Sequence, residues 1–138
     1  MRILAVDPGA KRIGLALSDP TATIASPLEV LKHSSRPIDA ATIAQIATEN
    51  EAVKIVMGQS LDQDGKPTIE GRRAARLAAA IRMQTELPVE MWDEFGTTKA
   101  AVQARIDLGA PRSKRGGHQD ELAAALILQS YLDAHSDE

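Results

Sequence analysis

Three short apolar segments in the first third of the chain constrain the fold most strongly, because too few residues separate them for helices to connect them. Residues 2–7, RILAVD, are followed by Pro8-Gly9 and have the character of a buried strand before a turn. Residues 12–18 and 26–32 are also strand-like. Strands joined by such short connections pair antiparallel, so this region predicts a three-stranded meander.

Strand and helix patterns alternate after this meander. Apolar residues at helical spacing over 38–49 follow Pro37 and Asp39, which are start signals for a helix. The remaining predicted elements, in chain order, are a buried strand at 53–58, a polar loop at 59–67, a helix at 68–86, a strand from Pro88 to Met91 or Trp92, a helix at about 97–108, a basic loop at 111–117 and a helix at about 119–133. The order β-β-β-α-β-α-β-α-α predicts an α/β protein with a mixed five-stranded sheet flanked by helices.

The length of 138 residues suits one domain, and we predict a single domain at 1–133 with a C-terminal tail at 134–138. The chain has no cysteine, which excludes disulfides, thiolate metal sites and cysteine nucleophiles. Its three histidines lack metal-ligand spacing, so a metal bound through oxygen ligands is the kind that remains open.

Two further properties of the composition bear on partners. The formal net charge is -3, whereas nucleic-acid binders are more often basic, so binding of a polyanion would need a local basic patch. Only 2% of residues are aromatic, which makes stacking of bases a poor candidate for the main binding mode. Signal-peptide and membrane-span patterns are absent from the sequence, which predicts a cytoplasmic protein.

Acidic residues stand at three element boundaries. Asp7 ends the first strand pattern, Asp93 and Glu94 end the fifth, and Asp120 begins the last helix. Each has an ordinary structural explanation, a hairpin turn for Asp7 and helix capping for the others. If the acids converge, bound Mg²⁺ or Mn²⁺ would offset their repulsion and support phosphodiester chemistry. Adjacent strand residues face opposite ways, so one of Asp93 and Glu94 would take part, and the choice stays open.

Two groups of basic residues lie next to these acids. Lys11 and Arg12 follow Asp7 closely, and both are candidates for contacts with phosphate groups. The second group precedes Asp120 and consists of Arg112, Lys114 and Arg115. A solvated helix face is the better explanation for the arginines of the 68–86 helix, which are Arg72, Arg73, Arg76 and Arg82.

Together these residues resemble the YqgF family, also called RuvX, over about residues 1–133. The matching segments, in chain order, are DPGAKRIGLALSD at 7–19, IVMG at 55–58, WDE at 92–94 with TT at 97–98, and QDELAAALILQSYL at 119–132. Their order and spacing, together with the chain length, make the resemblance specific.

The resemblance implies an RNase H-like fold related to the resolvase RuvC. It also implies a hydrolase that uses Mg²⁺ or Mn²⁺ to cleave nucleic acid in 5′-end maturation of pre-16S rRNA. The alternative it implies is resolution of four-way DNA junctions, so the partner would be structured precursor rRNA or branched DNA, bound by a monomer or a homodimer. In the family's motifs, the catalytic and metal-binding acids fall on Asp7, Glu94 and Asp120.

The sequence departs from the family pattern at two places. The family usually has Arg after the Asp-Glu pair, where this chain has Phe95, and the basic residues at 112–115 are candidates to replace that phosphate contact. The family also tends to carry Leu-Pro after the glycine of the fourth strand, where this chain has Gln59-Ser60. Neither departure removes an expected metal ligand.

Two other function classes compete with a nuclease. An actin-like phosphotransferase also joins two strands through a phosphate loop, but that fold needs two such domains, and 138 residues hold only one. A non-catalytic module that binds RNA or a protein agrees with the net charge of -3 and with Phe95. Stabilisation by nucleotides would favour the first alternative, and the lack of any cleavage would favour the second.

Overall fold

The computed structural model describes residues 1–93 and 119–136, of which residues 119–121 are described by their backbone alone. The elements, in chain order, are β1 (Arg2–Pro8), β2 (Arg12–Ser18), β3 (Ala25–Lys32), α1 (Arg36–Glu49), β4 (Ala52–Gln59), α2 (Ile69–Arg82), β5 (Val89–Asp93) and α3 (Gln119–Ala134). The predicted helix at 97–108 and the predicted basic loop at 111–117 lie outside the described residues.

The strands form one mixed sheet in the order β3-β2-β1-β4-β5. The pairs β1–β2 and β2–β3 are antiparallel, which confirms the predicted meander. The pairs β1–β4 and β4–β5 are parallel. The carboxyl ends of β1, β4 and β5 therefore meet at one edge of the sheet, here called the carboxyl edge. In the described ranges, no helix has both the length and the apolarity to cross a bilayer.

Helices cover both faces of the sheet. Residues Leu4 and Val6 of β1 pack into a core with α1 and α2 on one face, whereas Ile3 and Ala5 pack with α3 on the other. Successive strand residues point to opposite faces, so two residues of one strand share a face when an even number of positions separates them. We call the two sides the α1/α2 face and the α3 face.

The helix α1 starts earlier than predicted, at Arg36 instead of residue 38. Its N-cap is Ser35, whose hydroxyl accepts from the backbone N–H of Ile38 at 3.4 Å. Asp39, predicted as a start signal, instead accepts from the backbone N–H of Ser34 at 3.1 Å. The acid therefore fixes the connection that precedes the helix.

The helix α2 ends at Arg82, four residues before the predicted end at residue 86. Two tight bonds close it, from the N–H of Met83 to Ala80 O and from the N–H of Gln84 to Ile81 O. The residue before a proline disfavours helical geometry, so Pro88 keeps the preceding segment from continuing the helix. The side chain of Arg82 donates to Val89 O at 2.6 Å, which links the end of α2 to the start of β5.

The helix α3 runs antiparallel to β1. Its residue Gln129 accepts from the backbone N–H of Ala25 at 2.9 Å and donates to Thr23 O at 3.0 Å, close to where β3 begins and β2 ends. The second half of α3 therefore lies over the edge where β1 begins, and its first turn lies toward the carboxyl edge. Ala124 and Ala125 are fully buried, so small residues bring this helix close to the sheet.

Candidate functional site

Asp7 lies one residue before the end of β1, the central strand, and is half-buried. Because Ile3 and Ala5 belong to the core under α3, alternation places Asp7 on the α3 face. The residue is part of a β1–β2 hairpin, which is the ordinary explanation that its Asp-Pro-Gly sequence allows. The helix α3 covers this same face of the sheet, which neither a hairpin nor its turn requires.

Two glycines flank Asp7 across the sheet. Gly14 of β2 is its direct partner, and on the other side β4 continues from Met57, the partner of Val6, to Gly58. Both glycines are buried. The residues directly beside Asp7 on the two neighbouring strands therefore carry no side chain, which leaves room for a ligand on the α3 face. A carboxylate with such space is a fitting donor for Mg²⁺ or Mn²⁺, which prefer oxygen ligands.

The turn after Asp7 is fixed by Gly9. Its backbone N–H donates to Arg12 O at 2.9 Å, and a Cβ on this residue would lie 2.4 Å from that same oxygen. A real Cβ could not fit there without moving the backbone. The glycine is thus required by the closure of the hairpin itself.

Asp93, the first of the two adjacent acids, ends β5 on the face away from α3. Glu90 and Trp92 contact residues of α3, whereas Val89 and Met91 pack with the core under α2. Alternation therefore places Asp93 on the α1/α2 face, opposite to Asp7. The predicted ligand Glu94 lies outside the described residues.

Asp120 belongs to the first turn of α3, at the carboxyl edge, and its side chain is not described. Within residues 1–93 and 119–136, no group of three or more histidine or acidic side chains could hold a metal ion. Two of the three predicted ligands have side chains beyond that description, so the metal centre stays a prediction.

A basic groove lies on the same face as Asp7. It has a volume of about 370 Å³ and is lined by Lys11, Arg12, Val30 and Lys32. Arg12 pairs directly with Lys32 across β2 and β3. Like charges placed opposite one another repel, so this pair favours an anion between or above them. The predicted phosphate-binding residues Lys11 and Arg12 thus have a third basic neighbour in Lys32.

The other predicted nucleic-acid contacts, Arg112, Lys114 and Arg115, lie outside the described residues. Lys32 could have been found only from strand register, because twenty residues separate it from Arg12 along the chain. Register is a property of the folded sheet, and the β2 pattern alone does not contain it.

A second cleft, of about 410 Å³, lies on the opposite side of the β1–β2 turn. It reaches from Pro8 and Gly9 to residues of α1 and α2, and its polar lining includes His33, Arg36 and Arg73. The expectation that Arg73 belongs to a plain solvated helix face is therefore incomplete. Arg82, through its bond to Val89 O, likewise does more than face solvent.

A hydrogen-bonded ion pair fastens α3 at the edge away from the site. The hydroxyl of Tyr131 donates to Glu90 at 2.6 Å and accepts from Lys54 at 2.8 Å. The hydrogen bond from Tyr131 lowers the pKa of Glu90, and the one to Tyr131 raises the pKa of Lys54. Burial is the main reason that the pKa of Tyr131 is raised. These pKa shifts arise from the contacts that hold α3 on the sheet, and none of the three groups is a predicted site residue.

Comparison with known proteins gives a consistent result at the level of sequence. A family model described as "RuvX: Holliday junction resolvase" matches residues 1–134. A protein of Syntrophus aciditrophicus is 42% identical over 138 residues, which are 100% of this chain and 92% of that protein. A protein of Desulforamulus reducens is 36% identical over 134 residues, 97% of this chain and 98% of that one. Both are named "Putative pre-16S rRNA nuclease".

Solved structures agree on the fold. RuvC of Thermus thermophilus, in complex with a Holliday junction substrate, superposes with a TM-score of 0.67 at 17% identity and covers 99% of this chain and 96% of that one. The fowlpox virus resolvase, in complex with Holliday junction DNA, superposes with a TM-score of 0.57 at 13% identity, covering 97% and 98%. The expected RNase H-like fold is confirmed.

Proposed function

Because this chain belongs to the RuvX family, we propose that it is a metal-dependent nuclease that hydrolyses phosphodiester bonds and matures the 5′ end of pre-16S rRNA in the cytoplasm. One observation carries the proposal. The half-buried carboxylate of Asp7 stands between Gly14 and Gly58, on the face where the first turn of α3 reaches the carboxyl edge. Residues 1–133 act as one nuclease domain in this proposal.

Three acids would hold Mg²⁺ or Mn²⁺, namely Asp7, Glu94 and Asp120. When bound there, the ions supply an activated water and stabilise the negative charge that develops on the leaving oxygen. We choose Glu94 over Asp93 because alternation in β5 puts Asp93 on the face opposite to Asp7.

The side chains of this face would position the substrate. Arg12 and Lys32 lie on neighbouring strands, on the same face as Asp7, and Lys11 lies next to them in the turn. A backbone phosphate bound in their groove would keep the adjoining phosphodiester over the Asp7 carboxylate. Holding reactants in place in this manner contributes to rate without any further chemistry. The second basic group, Arg112, Lys114 and Arg115, would add contacts with phosphates.

Precursor rRNA is the proposed substrate because relatives aligned over nearly their whole length are named for it. The family description favours a second candidate, a four-way DNA junction. Paired cuts at a two-fold symmetric junction would need a homodimer, whereas trimming of one RNA strand needs only a monomer.

The test compares the wild type with Asp7→Asn, which keeps the size of the side chain and removes its charge. Each protein is incubated with Mn²⁺ or Mg²⁺ and either labelled RNA covering the 5′ end of pre-16S rRNA or a four-way DNA junction. Loss of a metal ligand should lower the cleavage rate by about 100-fold or more, because metal assistance contributes several kcal/mol to the transition state.

The control variant is Asp64→Asn, which makes the same chemical change at an exposed position of the loop between β4 and α2 and should cleave like the wild type. Preferred cleavage of the junction would replace the rRNA proposal with the second candidate. Equal cleavage by the wild type and Asp7→Asn, or no cleavage of either substrate, would refute the nuclease proposal.

A further inference from the structure

The cleft on the α1/α2 side of the β1–β2 turn has the chemistry of a phosphate site. It is lined by His33 from the connection after β3, Arg36 from the first turn of α1 and Arg73 from α2. Arg73 is far from His33 and Arg36 in sequence, and the packing of α1 against α2 brings the three residues to one concave surface. Three basic side chains around one opening favour an anionic ligand.

Both arginines are exposed and available to a ligand. In the described part of the chain, neither Arg36 nor Arg73 donates a side-chain hydrogen bond to another residue or pairs with a carboxylate. A guanidinium in this state offers a fork of N–H donors that matches the oxygens of a phosphate group. Binding of a phosphate would therefore break no side-chain hydrogen bond or ion pair of either arginine with the described residues.

The acid within this cleft is already engaged. Asp39 is buried, and its carboxylate contacts Nδ1 of His33 at 2.5 Å and accepts from the N–H of Ser34 at 3.1 Å. The contact with Asp39 holds the imidazole in a defined orientation, and the protonated ring would donate from Nε2 to a phosphate oxygen. The carboxylate thus orients a basic group instead of repelling an anion from the cleft mouth.

The cleft also has an apolar wall and a suitable size. Pro8, Ile13 and Leu77 line it, and about 410 Å³ accommodates more than a single phosphate group. A sugar could rest on this wall while its phosphate meets the arginines. The wall continues into the turn that follows Asp7, so a strand leaving the Asp7 site over Gly9 would reach the cleft.

We propose that His33, Arg36 and Arg73 form a phosphate-binding site that holds the nucleic acid where it leaves the Asp7 site across the β1–β2 turn. The inference rests on the proposed function, since it assumes that a nucleic-acid strand is bound at Asp7. The two anion sites, this cleft and the groove of Arg12 and Lys32, would then grip the strand on opposite sides of one hairpin.

The test measures binding separately from cleavage. All variants carry Asp7→Asn, so that the probe stays intact, and the probe is 3′-fluorescein RNA covering the 5′ end of pre-16S rRNA, followed by fluorescence anisotropy at several salt concentrations. The double variant Arg36→Gln/Arg73→Gln is compared with Arg76→Gln, an exposed arginine of α2 outside the cleft. The double variant should bind more weakly, and its salt slope should fall by about 0.7 to 0.9 for each phosphate group that it no longer neutralises. Arg76→Gln should leave the slope unchanged.

Two RNA preparations distinguish the source of the phosphate. If RNA binding depends on the cleft arginines both with and without a 5′-phosphate, the cleft binds an internal phosphodiester. If binding depends on them only when the 5′-phosphate is present, the cleft binds the 5′ terminus of the RNA. Equal slopes for the double variant and Arg76→Gln, or no RNA binding at all, would overturn the inference. If the wild type cleaves and Asp7→Asn does not, but the salt slopes of the two arginine variants are equal, the nuclease proposal holds and the cleft proposal fails. If the double variant has a reduced salt slope but the wild type cleaves nothing, the cleft binds RNA and the nuclease proposal fails.

Discussion

Neighbouring residues of β5 face opposite sides of the sheet, and this decides how two adjacent acids can act. Trp92 donates to Ser130 of α3 at 3.2 Å, so Asp93, the next residue, faces away from α3. Asp7 is on the α3 face, because it alternates with Ile3 and Ala5 of the core under that helix. As long as β5 alternates regularly, the Asp93 carboxylate lies on the opposite face of the sheet and cannot reach a metal ion held by Asp7.

This geometry yields a prediction for a matched pair of variants. Glu94→Gln should lower the cleavage rate by about 100-fold, because it removes a proposed metal ligand. Asp93→Asn makes the same charge change one residue earlier, on the face away from Asp7, and its cleavage rate should stay within about threefold of that of the wild type. The measurement is single-turnover cleavage of the pre-16S RNA probe with saturating Mn²⁺.

The reverse result would move the ligand role to Asp93 and imply that β5 loses its regular alternation at its end. Equal losses in both variants would indicate that the charge of the Asp-Glu pair matters as a whole. Either outcome would contradict the assignment of Glu94 alone.

Among the elements that the structure describes, α3 both covers the face of Asp7 and carries a proposed ligand, Asp120. Its position is set at the far end, where Gln129 bonds to the start of β3 and Tyr131 bonds to Lys54 and Glu90. The ring of Tyr131 also packs edge-on against Trp92, with centroids 5.1 Å apart. The first turn of α3 thus depends on contacts made about three turns away.

Tyr131→Phe tests this anchoring. The variant keeps the ring and its aromatic contacts but removes the hydroxyl that joins Lys54 to Glu90. The free energy of unfolding should fall by about 1.5 to 3 kcal/mol, the usual contribution of hydrogen bonds to charged groups. Urea titration at pH 7 measures the loss, and an unchanged free energy would mean that the Lys54–Glu90 pair, at 3.3 Å, suffices by itself.

The same variant has a predicted pH dependence. The hydrogen bond from Tyr131 holds the pKa of Glu90 below its ordinary value of 4.5, so the unfolded chain binds a proton here more readily than the folded one. The stabilisation is therefore complete above about pH 4.5 and is lost as the pH falls through the lowered pKa of the folded state. The gap in stability between the wild type and Tyr131→Phe should narrow below about pH 4.5, and a gap that widens there would contradict this account.

Across the whole molecule, charge is distributed unevenly. The chain carries a formal net charge of -3, yet Lys11, Arg12 and Lys32 share one groove beside Asp7. A polyanion would therefore be attracted to one end of the sheet by a local field, although the protein as a whole repels it. Such binding should weaken strongly with added salt.

The variant Lys32→Gln tests whether this basic groove attracts the RNA. Sequence patterns do not single out Lys32. In the Asp7→Asn background, the variant should bind the RNA probe more weakly, and the slope of log affinity against log salt should fall by about 1, because one phosphate group is no longer neutralised. Arg76→Gln again serves as the control with the same change of charge. Equal slopes for these two variants would show that net charge, and not the groove, governs binding.

The sheet, its order of elements and the family could be predicted from the sequence because strand and helix periodicity and short motifs are local properties. The face of Asp93, the pairing of Lys32 with Arg12 and the glycines beside Asp7 could not, since they depend on register between strands. The cleft that joins His33 to Arg73 could not be predicted either, because forty residues separate them and only helix packing brings them together.

The bonds of Gln129 to Ala25 and Thr23 join positions 104 and 106 residues apart. During synthesis all five strands leave the ribosome before the helix that covers them, so Ala5, Ala16 and Val56 stay without their cover until α3 has emerged. Asp120 arrives with that same helix. A growing chain that has not yet released α3 would therefore carry Asp7 without Asp120, so the metal site that we propose could not form before that helix has emerged.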